Sequence, residues 1–343
     1  MNTIKIAIYL LCALSCLLSG QQQTSPNRRI TLDVQVTNKS GQLFPNLQQA
    51  DFTLLDNKQP QPITSFRAVQ SAAADPPVEI LFVIDQVNGG YQIVTVEGAQ
   101  LQLFLKQNGG NLPRPSSLVF FSEKGPTLGE TFSRDGNALA ADIDKEGHGL
   151  RSERRSQGAY GAEERLQRSL NALTAITQHE AARPGRKLLI WISPGWALLS
   201  GPRVELTTKV EGEIFRSIVN MSAALRAARI TLYNVDPVGV TGNGPMRNFY
   251  YRDFLKGVKQ PSQVHIADVS LQVLATQSGG LVLNGSNDVA SEIARSVEDA
   301  ATFYELTFDG LPADGPDDYH SLEVKVAKPG LIARTRTGYY AQP

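Results

Sequence analysis

The chain has 343 residues, of which 41% are hydrophobic and 19% are charged, a balance typical of globular proteins. Its 33 basic residues equal its 33 acidic residues, so no overall field favours nucleic acid or an anionic membrane as a partner. The length is sufficient for two domains.

Residues 1–20 have the composition of a signal peptide, with Lys5 ahead of an apolar stretch too short to span a membrane. We therefore predict an exported protein, periplasmic or extracellular. Cys12 and Cys16 both lie in this segment, so the mature chain would have neither a disulfide nor a thiol nucleophile. In an alternative interpretation, Ala-Leu-Ser-Cys16 is similar to a bacterial lipobox. A lipidated Cys16 would then anchor the protein to the envelope. We expect association with a membrane only in that case.

Residues 28–70 have the alternating pattern of an N-terminal β segment. In RITLDVQVT, the side chains of Ile30, Leu32, Val34 and Val36 fall on one face. Further strands are predicted around 52–55 and 63–69, and a linker containing proline follows at 71–77.

Strands and helices alternate from residue 78 to residue 302. Continuous apolar runs at 78–85, 117–122, 187–193 and 230–236 are typical of strands buried on both faces. Helical spacing of apolar residues follows most of them. This alternation predicts an α/β domain with a doubly wound, mostly parallel sheet.

Residues 303–341 return to β character, with alternating segments at 303–308, 321–327 and 333–340. We predict that they pair with residues 28–70 in a small β sandwich into which the α/β domain is inserted. Two separate β units are the alternative. The C-terminal half of the sandwich core would consist of Tyr304, Phe308, Leu322, Val324 and Val326.

Several segments, in this order, resemble those of a known family. They are ADFTLLDNKQPQPITSF, the strand ending in Asp85-Gln-Val-Asn88, GRKLLIWISPGW, ITLYNVDPVG, LATQSGG and TRTGYYA. Over residues 28–341 the chain resembles the bacterial VWFA-related domain family, exported proteins with a von Willebrand factor A-like core and flanking β segments. The resemblance implies a six-stranded sheet covered by helices and a role in adhesion or protein interaction.

Domains of this type hold a divalent cation at a metal-ion-dependent adhesion site, and the resemblance places that site after the strand ending at Asp85. The usual loop is Asp-x-Ser-x-Ser, but Val87 and Gly89 stand in the two serine positions. Pro194 stands where a later aspartate is expected, and the loop at 156–164 contains no threonine. The site is therefore degenerate, and we expect it to be metal-free.

Four residues remain as candidate ligands for Mg²⁺ or Mn²⁺, which prefer oxygen donors. They are Asp85, Asn88, Ser193 and Asp236. An alternative is that Asp85 and Asn88 hydrogen-bond within their own loop, fix the turn and cap the following helix. A ligand crevice without metal is a third interpretation.

Two tryptophans bracket the Ser-Pro-Gly loop. Trp191 lies within a predicted strand and is expected in the core, whereas Trp196 follows the loop. A partly exposed Trp196 would act as a contact anchor for a protein partner.

The motifs of common enzymes are absent from the sequence. It contains no Gly-x-Ser-x-Gly elbow, no phosphate-binding loop and no metal spacing among its four histidines. We therefore predict a non-enzymatic adhesion or protein-interaction module without a cofactor, whose partner is an unknown protein or surface ligand. Two alternatives stay open. One is an envelope enzyme that uses Asp85 and Asp236 as a carboxylate pair, and the other is a structural scaffold whose β sandwich makes the contact.

Overall fold

The computed structural model describes residues 28–70, 75–147, 158–196, 206–240 and 250–343. The predicted signal peptide, with Cys12 and Cys16, lies outside these ranges, as does part of the 156–164 loop. The strands are β1 (Arg29–Asn38), β2 (Phe52–Asp56), β3 (Gln59–Gln61), β4 (Ser65–Gln70), β5 (Glu79–Asp85), β6 (Asn111–Ser122), β7 (Gly125–Leu128), β8 (Ser133–Asp135), β9 (Lys187–Ile192), β10 (Ile230–Val235), β11 (Val282–Leu283), β12 (Thr302–Asp309), β13 (Asp318–Val326), β14 (Leu331–Arg334) and β15 (Gly338–Ala341). The α-helices are α1 (Tyr91–Leu105), α2 (Gly136–Gly147), α3 (Gly158–Ala181), α4 (Thr208–Ala227), α5 (Leu271–Gln277) and α6 (Val289–Glu298).

The central sheet has the strand order β11-β10-β9-β5-β6-β7, and β8 also pairs with β6. The pairs from β11 to β6 are parallel, whereas β7 and β8 run antiparallel to β6. Every residue of β5, β9 and β10 is buried, because helices cover both faces of the sheet. The order reverses beside β5, as in a doubly wound sheet. The fold is von Willebrand factor A-like, as the sequence predicts.

Two hydrophobic cores lie on opposite faces of this sheet. Helices α3, α4 and α5 supply one core, in which the two largest side chains are Trp191 and Trp196. Helices α1, α2 and α6 supply the other, around Phe82 and Tyr233. Side chains of a strand alternate between faces, so successive residues of β5 and β9 enter different cores.

The β segments at the two ends of the chain form a sandwich of two four-stranded sheets, as expected. One sheet has the order β14-β1-β12-β4 and the other β15-β13-β2-β3. The predicted inward face of β1 is buried against Tyr304, Phe308, Leu322 and Val324, and Val326 packs at the margin of this core.

The prediction of a single strand at 333–340 is wrong. It is divided into β14, which pairs with β1, and β15, which pairs with β13. Residues 335–337 between them pass from one sheet to the other. The alternating pattern continues through this crossing, so the sequence does not reveal it.

The sandwich contacts the central sheet at the amino-terminal edge of its strands. Arg229, directly before β10, places its Nη2 atom 2.5 Å from Asp33 Oδ1 on β1 and 2.6 Å from Glu305 Oε1 on β12. The sandwich also reaches α4, where the ring of Tyr340 lies 6.0 Å from that of Phe215. The carboxyl edge of the parallel strands is therefore at the opposite end of the sheet from this ion-pair network.

Within the described ranges, no helix is both long and apolar enough to cross a bilayer.

Candidate functional site

Three of the predicted site residues form a row at the carboxyl edge of the central sheet. Ile84 of β5 is level with Ile192 of β9, which is level with Val235 of β10. The next residues along these strands, Asp85, Ser193 and Asp236, are therefore also level with one another. Asp85 and Asp236 lie two strands apart, or about 10 Å between backbones.

The carboxylate of Asp85 is fully buried and accepts four hydrogen bonds from described residues. Its Oδ1 accepts the backbone N–H groups of Val87 and Asn88 at 3.0 and 2.9 Å. Its Oδ2 accepts Asn88 Nδ2 and Trp191 Nε1, each at 2.9 Å. Bonds to the following backbone define an Asx turn, so Asp85 fixes the loop. It does not cap α1, because the N-cap is Gly90, which has no side-chain acceptor.

Trp191 is the donor that the sequence analysis missed. Its indole is fully buried, as expected for a core residue, but it also donates to Asp85 from the neighbouring strand. Phe121 and Trp196 pack edge-on against it, with ring centroids 5.6 and 5.2 Å away. These rings fix the orientation of the indole N–H.

Asn88 connects Asp85 to helix α3. Its Nδ2 donates to Asp85 Oδ2 and also to Ser169 Oγ, at 2.9 Å each. Its Oδ1 is buried and has no hydrogen-bond partner among the described residues. Ser169 was also missed, because it occupies an ordinary position on a helix and no motif surrounds it.

Ser193 and Asp236 hydrogen-bond within their own loops. Ser193 Oγ accepts from the backbone N–H of Gly195 at 3.2 Å, and Asp236 Oδ1 accepts from that of Val238 at 2.9 Å. Both side chains are buried. The structure thus places the four predicted residues at one edge, where hydrogen bonds join Asp85 to Asn88.

A second carboxylate, that of Glu97, lies directly beneath Asp85. Glu97 is on α1 and fully buried, and its Oε2 accepts the backbone N–H of Asp85 at 3.1 Å. The signal in the sequence was a glutamate within the apolar stretch of a predicted helix. Across the described ranges, no group of three or more His, Cys, Asp or Glu side chains is arranged to hold a metal ion.

Trp196 is 2% exposed, so the expectation of a partly exposed ring is wrong. It packs in the core with Trp191 and α4, because the Ser-Pro-Gly loop directs the chain back over the sheet, with Gly195 at a φ of +100°. In this structure Trp196 does not present a contact surface to a partner.

Exposed apolar side chains near this edge belong to other residues. Tyr91, the first residue of α1, is 59% exposed, and Val240, in the loop after β10, is 50% exposed. Tyr160, near the start of α3, is 75% exposed. Ser169 of α3 is level with Asn88, to which it is hydrogen-bonded. Residue 160 lies nine residues earlier, which is about 14 Å from Ser169 along the helix axis. The helix therefore projects beyond the row of strand ends.

No family model and no curated protein matches the chain. Among solved structures it is similar to a human COPII-coat protein, with 10% identity over 81% of this chain and 46% of that one, at a TM-score of 0.37. It is also similar to the manganese-loaded Plasmodium vivax TRAP protein, with 11% identity, coverage of 79% and 96%, and a TM-score of 0.37. The SpRpn10 VWA domain matches with 12% identity, coverage of 63% and 92%, and a TM-score of 0.30. The chain spans about half the length of the COPII-coat protein. At these identities the likenesses concern the fold alone, and the fold assigned above rests on the strand order.

Proposed function

We propose that this chain is an exported adhesion or protein-interaction module of the bacterial family that its motifs resemble. Its contact surface is the carboxyl edge of the central sheet, and it works without a metal ion. The observation that carries this proposal is the hydrogen bond from Trp191 Nε1 to Asp85 Oδ2. An N–H group occupies the acceptor that a divalent cation would use.

The donors around Asp85 do not suit Mg²⁺ or Mn²⁺, which need several oxygen ligands in an octahedral arrangement. Val87 and Gly89 carry no side-chain oxygen, and Val87 is buried in the core beside Trp191. The lone pairs of Asp85 are directed to four N–H groups. In this proposal Asp85 is a structural residue that holds the loop before α1, and Asn88 extends this support to α3.

The contact surface is formed instead by Tyr91, Tyr160 and Val240. Tyrosine side chains are enriched in protein interfaces because they bury a large apolar area while retaining a polar group. Ion pairs with the β sandwich occupy the opposite end of the sheet, which leaves the carboxyl edge for the partner.

The same geometry argues against the enzyme alternative. A catalytic carboxylate must reach its substrate, whereas Asp85 is fully buried and its acceptor positions are filled. Asp236 is two strands away and bonds within its own loop. We therefore propose no catalytic role for this pair. The scaffold alternative is separated from our proposal by mutating each surface in turn.

The test uses the secreted mature protein to capture a partner from the envelope or surface of the source organism. Binding of the purified partner is then measured by interferometry. The Tyr91→Ser/Tyr160→Ser variant should weaken binding about tenfold or more. Ile332→Ser is the matched control, because it removes an exposed apolar side chain from β14 of the sandwich and should leave binding unchanged. Chelation with EDTA should have no effect.

Three results would contradict the proposal, each in a different way. Binding lost in EDTA and restored by Mn²⁺ would show a metal-dependent mechanism. Binding lost in Ile332→Ser but retained in the tyrosine variant would favour the sandwich scaffold. A chain found only in the cytoplasm after fractionation would rule out export.

A further inference from the structure

A small polar pocket lies where the β sandwich meets helix α4. Its volume is about 20 Å³, enough for a group the size of one or two water molecules. The central sheet and its helices contribute Arg226, Arg229 and Thr231, among others, and the sandwich contributes Asp33 and Arg336. The pocket walls therefore carry three guanidinium groups and one carboxylate.

Arg336 is the residue that makes this pocket unusual. It lies in the crossing between β14 and β15, is 9% exposed and lines the pocket. Among the described residues, no acceptor lies within hydrogen-bond or ion-pair distance of its guanidinium. Burial, together with the nearby Arg226, lowers the pKa of Arg336 to about 10, and Asp33 offsets part of this lowering. A buried cation without a partner is costly.

Three other arginines near this junction have carboxylate partners. Arg334 is paired with Asp299, and Arg229 is paired with both Asp33 and Glu305. The carboxylate of Asp33 is shared further with Arg186, 3.9 Å away. Asp33 is thus shared among other cations, and it offsets the charge of Arg336 only in part.

Arg226, in the last turn of α4, faces the same pocket. It is half-buried and, like Arg336, has no acceptor among the described residues. Burial lowers its pKa as well. Two guanidinium groups from different parts of the chain thus line one small cavity, each with free N–H donors. Such forked donors match the oxygens of phosphate and carboxylate groups.

We propose that this pocket binds a small oxyanion, held by Arg226 and Arg336, which bridges α4 to the β sandwich. The anion neutralises the buried guanidinium and joins the two parts of the chain. The pocket has room for one or two water-sized groups, so it takes one or two oxygens of the anion. These belong either to a free inorganic oxyanion such as phosphate or to the terminal carboxylate of a small molecule.

The test is thermal unfolding of the mature protein in a zwitterionic buffer at constant ionic strength. Sodium chloride is replaced stepwise by sodium phosphate or, in a second series, by sodium acetate. The wild-type midpoint should rise and saturate in at least one series, and which series saturates identifies the source of the oxyanion. In Arg226→Gln the dissociation constant, measured by calorimetry, should increase about tenfold or more.

Arg216→Gln is the matched control, because it removes a positive charge from an exposed position on the same helix. It should retain the anion response. Without oxyanion, Arg226→Gln should unfold no earlier than the wild type, since it relieves repulsion with Arg336. Equal responses of the wild type and Arg226→Gln, or no saturable heat with either anion, would overturn the proposal. If Arg226→Gln does not fold, Arg226→Lys replaces it, and the dissociation constants of this variant and of the wild type are compared by calorimetry. Equal constants, or no saturable heat with the wild type, would again overturn the proposal.

Discussion

The indole N–H of Trp191 donates to the carboxylate of Asp85 across two neighbouring strands, at 2.9 Å and out of contact with solvent. The bond joins the second-last residue of β9 to the last residue of β5. A carboxylate buried at this depth requires donors for its oxygens, and Trp191 supplies the one that comes from another strand. The pair therefore contributes to the stability of this edge, and it commits one acceptor oxygen of Asp85 to an N–H group.

Replacing Trp191 by phenylalanine should remove this bond while retaining an aromatic ring. Trp196→Phe is the matched control, because it loses the same ring volume but its Nε1 is buried without a hydrogen-bond partner among the described residues. Urea unfolding should show Trp191→Phe to be less stable than Trp196→Phe by about 2 kcal/mol, since a bond to a charged acceptor is lost. Equal losses in the two variants would mean that packing alone accounts for the effect.

Much of this architecture could be predicted from the sequence. The apolar runs that form β5, β9 and β10 predict the central sheet. The polar residues at the ends of these runs predict the row of Asp85, Ser193 and Asp236. The partner of Asp85 could not be predicted in this way. An apolar run places Trp191 in the core, but the direction of its N–H depends on the strand register and on the rings of Phe121 and Trp196.

The burial of Trp196 after the Ser-Pro-Gly loop also could not be predicted from the sequence pattern. Trp196 follows three residues typical of an exposed turn, yet it returns to the core because Gly195 adopts a positive φ. Local pattern likewise could not show that residues 335–337 cross between sheets. That crossing places Arg336 in the interior, so the oxyanion pocket depends on tertiary structure that no single segment indicates.

The second prediction concerns the ion pairs between the sandwich and the central sheet. Arg229→Gln should lower the free energy of unfolding by about 2 to 3 kcal/mol, because Asp33 and Glu305 are largely buried and lose a shared partner. Arg67→Gln is the control, since Arg67 also pairs with Glu305, at 2.6 Å, but is half-exposed. That change should cost less than about 1 kcal/mol. A loss at Arg67 as large as that at Arg229 would refute the distinction.

The third prediction is a pH dependence that originates at Asp268. Burial raises the pKa of Asp268 from 3.8 to about 6, against the effect of the hydrogen bond from the His265 backbone at 2.7 Å. Between these pH values the folded state holds a proton that the unfolded state has released. Its stabilising contribution is therefore complete below pH 3.8 and is lost as the pH rises through about 6.

Asp268→Asn should remove this dependence. The stability of the wild type minus that of Asp268→Asn, from urea unfolding between pH 3.5 and 7, should fall as the pH rises and level off above about 6. Asp288→Asn is the control of opposite sign, because hydrogen bonds from the Ser291 side chain and backbone lower the pKa of Asp288. The corresponding difference should rise as the pH increases through 3.8 and then stay level. Two parallel curves would show that neither carboxylate titrates as described.

The last prediction separates two adjacent tyrosines in β15. Tyr339 donates to the buried Asp56 at 2.7 Å, where His320 Nδ1 also lies 3.0 Å from Asp56 Oδ1. Tyr340 donates instead to a neutral acceptor, the carbonyl of Val258, at 2.9 Å. Because a bond to a charged acceptor is stronger than one to a carbonyl, Tyr339→Phe should cost about 2 to 3 kcal/mol and Tyr340→Phe about 1 kcal/mol.

Alkaline titration gives a second measurement on the same variants. Burial, reinforced by Asp56, raises the pKa of Tyr339 above its ordinary value of 10.0, so the folded state retains this proton where the unfolded state loses it. The contribution of Tyr339 to stability is then present below pH 10 and declines at higher pH. Tyr339→Phe should make the alkaline loss of stability, followed by far-ultraviolet circular dichroism in urea, shallower than in the wild type. Two results together would contradict this prediction: an unchanged dependence of stability on alkaline pH, and equal losses of unfolding free energy in the two variants. They would show that the hydrogen bonds to Asp56 do not stabilise the sandwich.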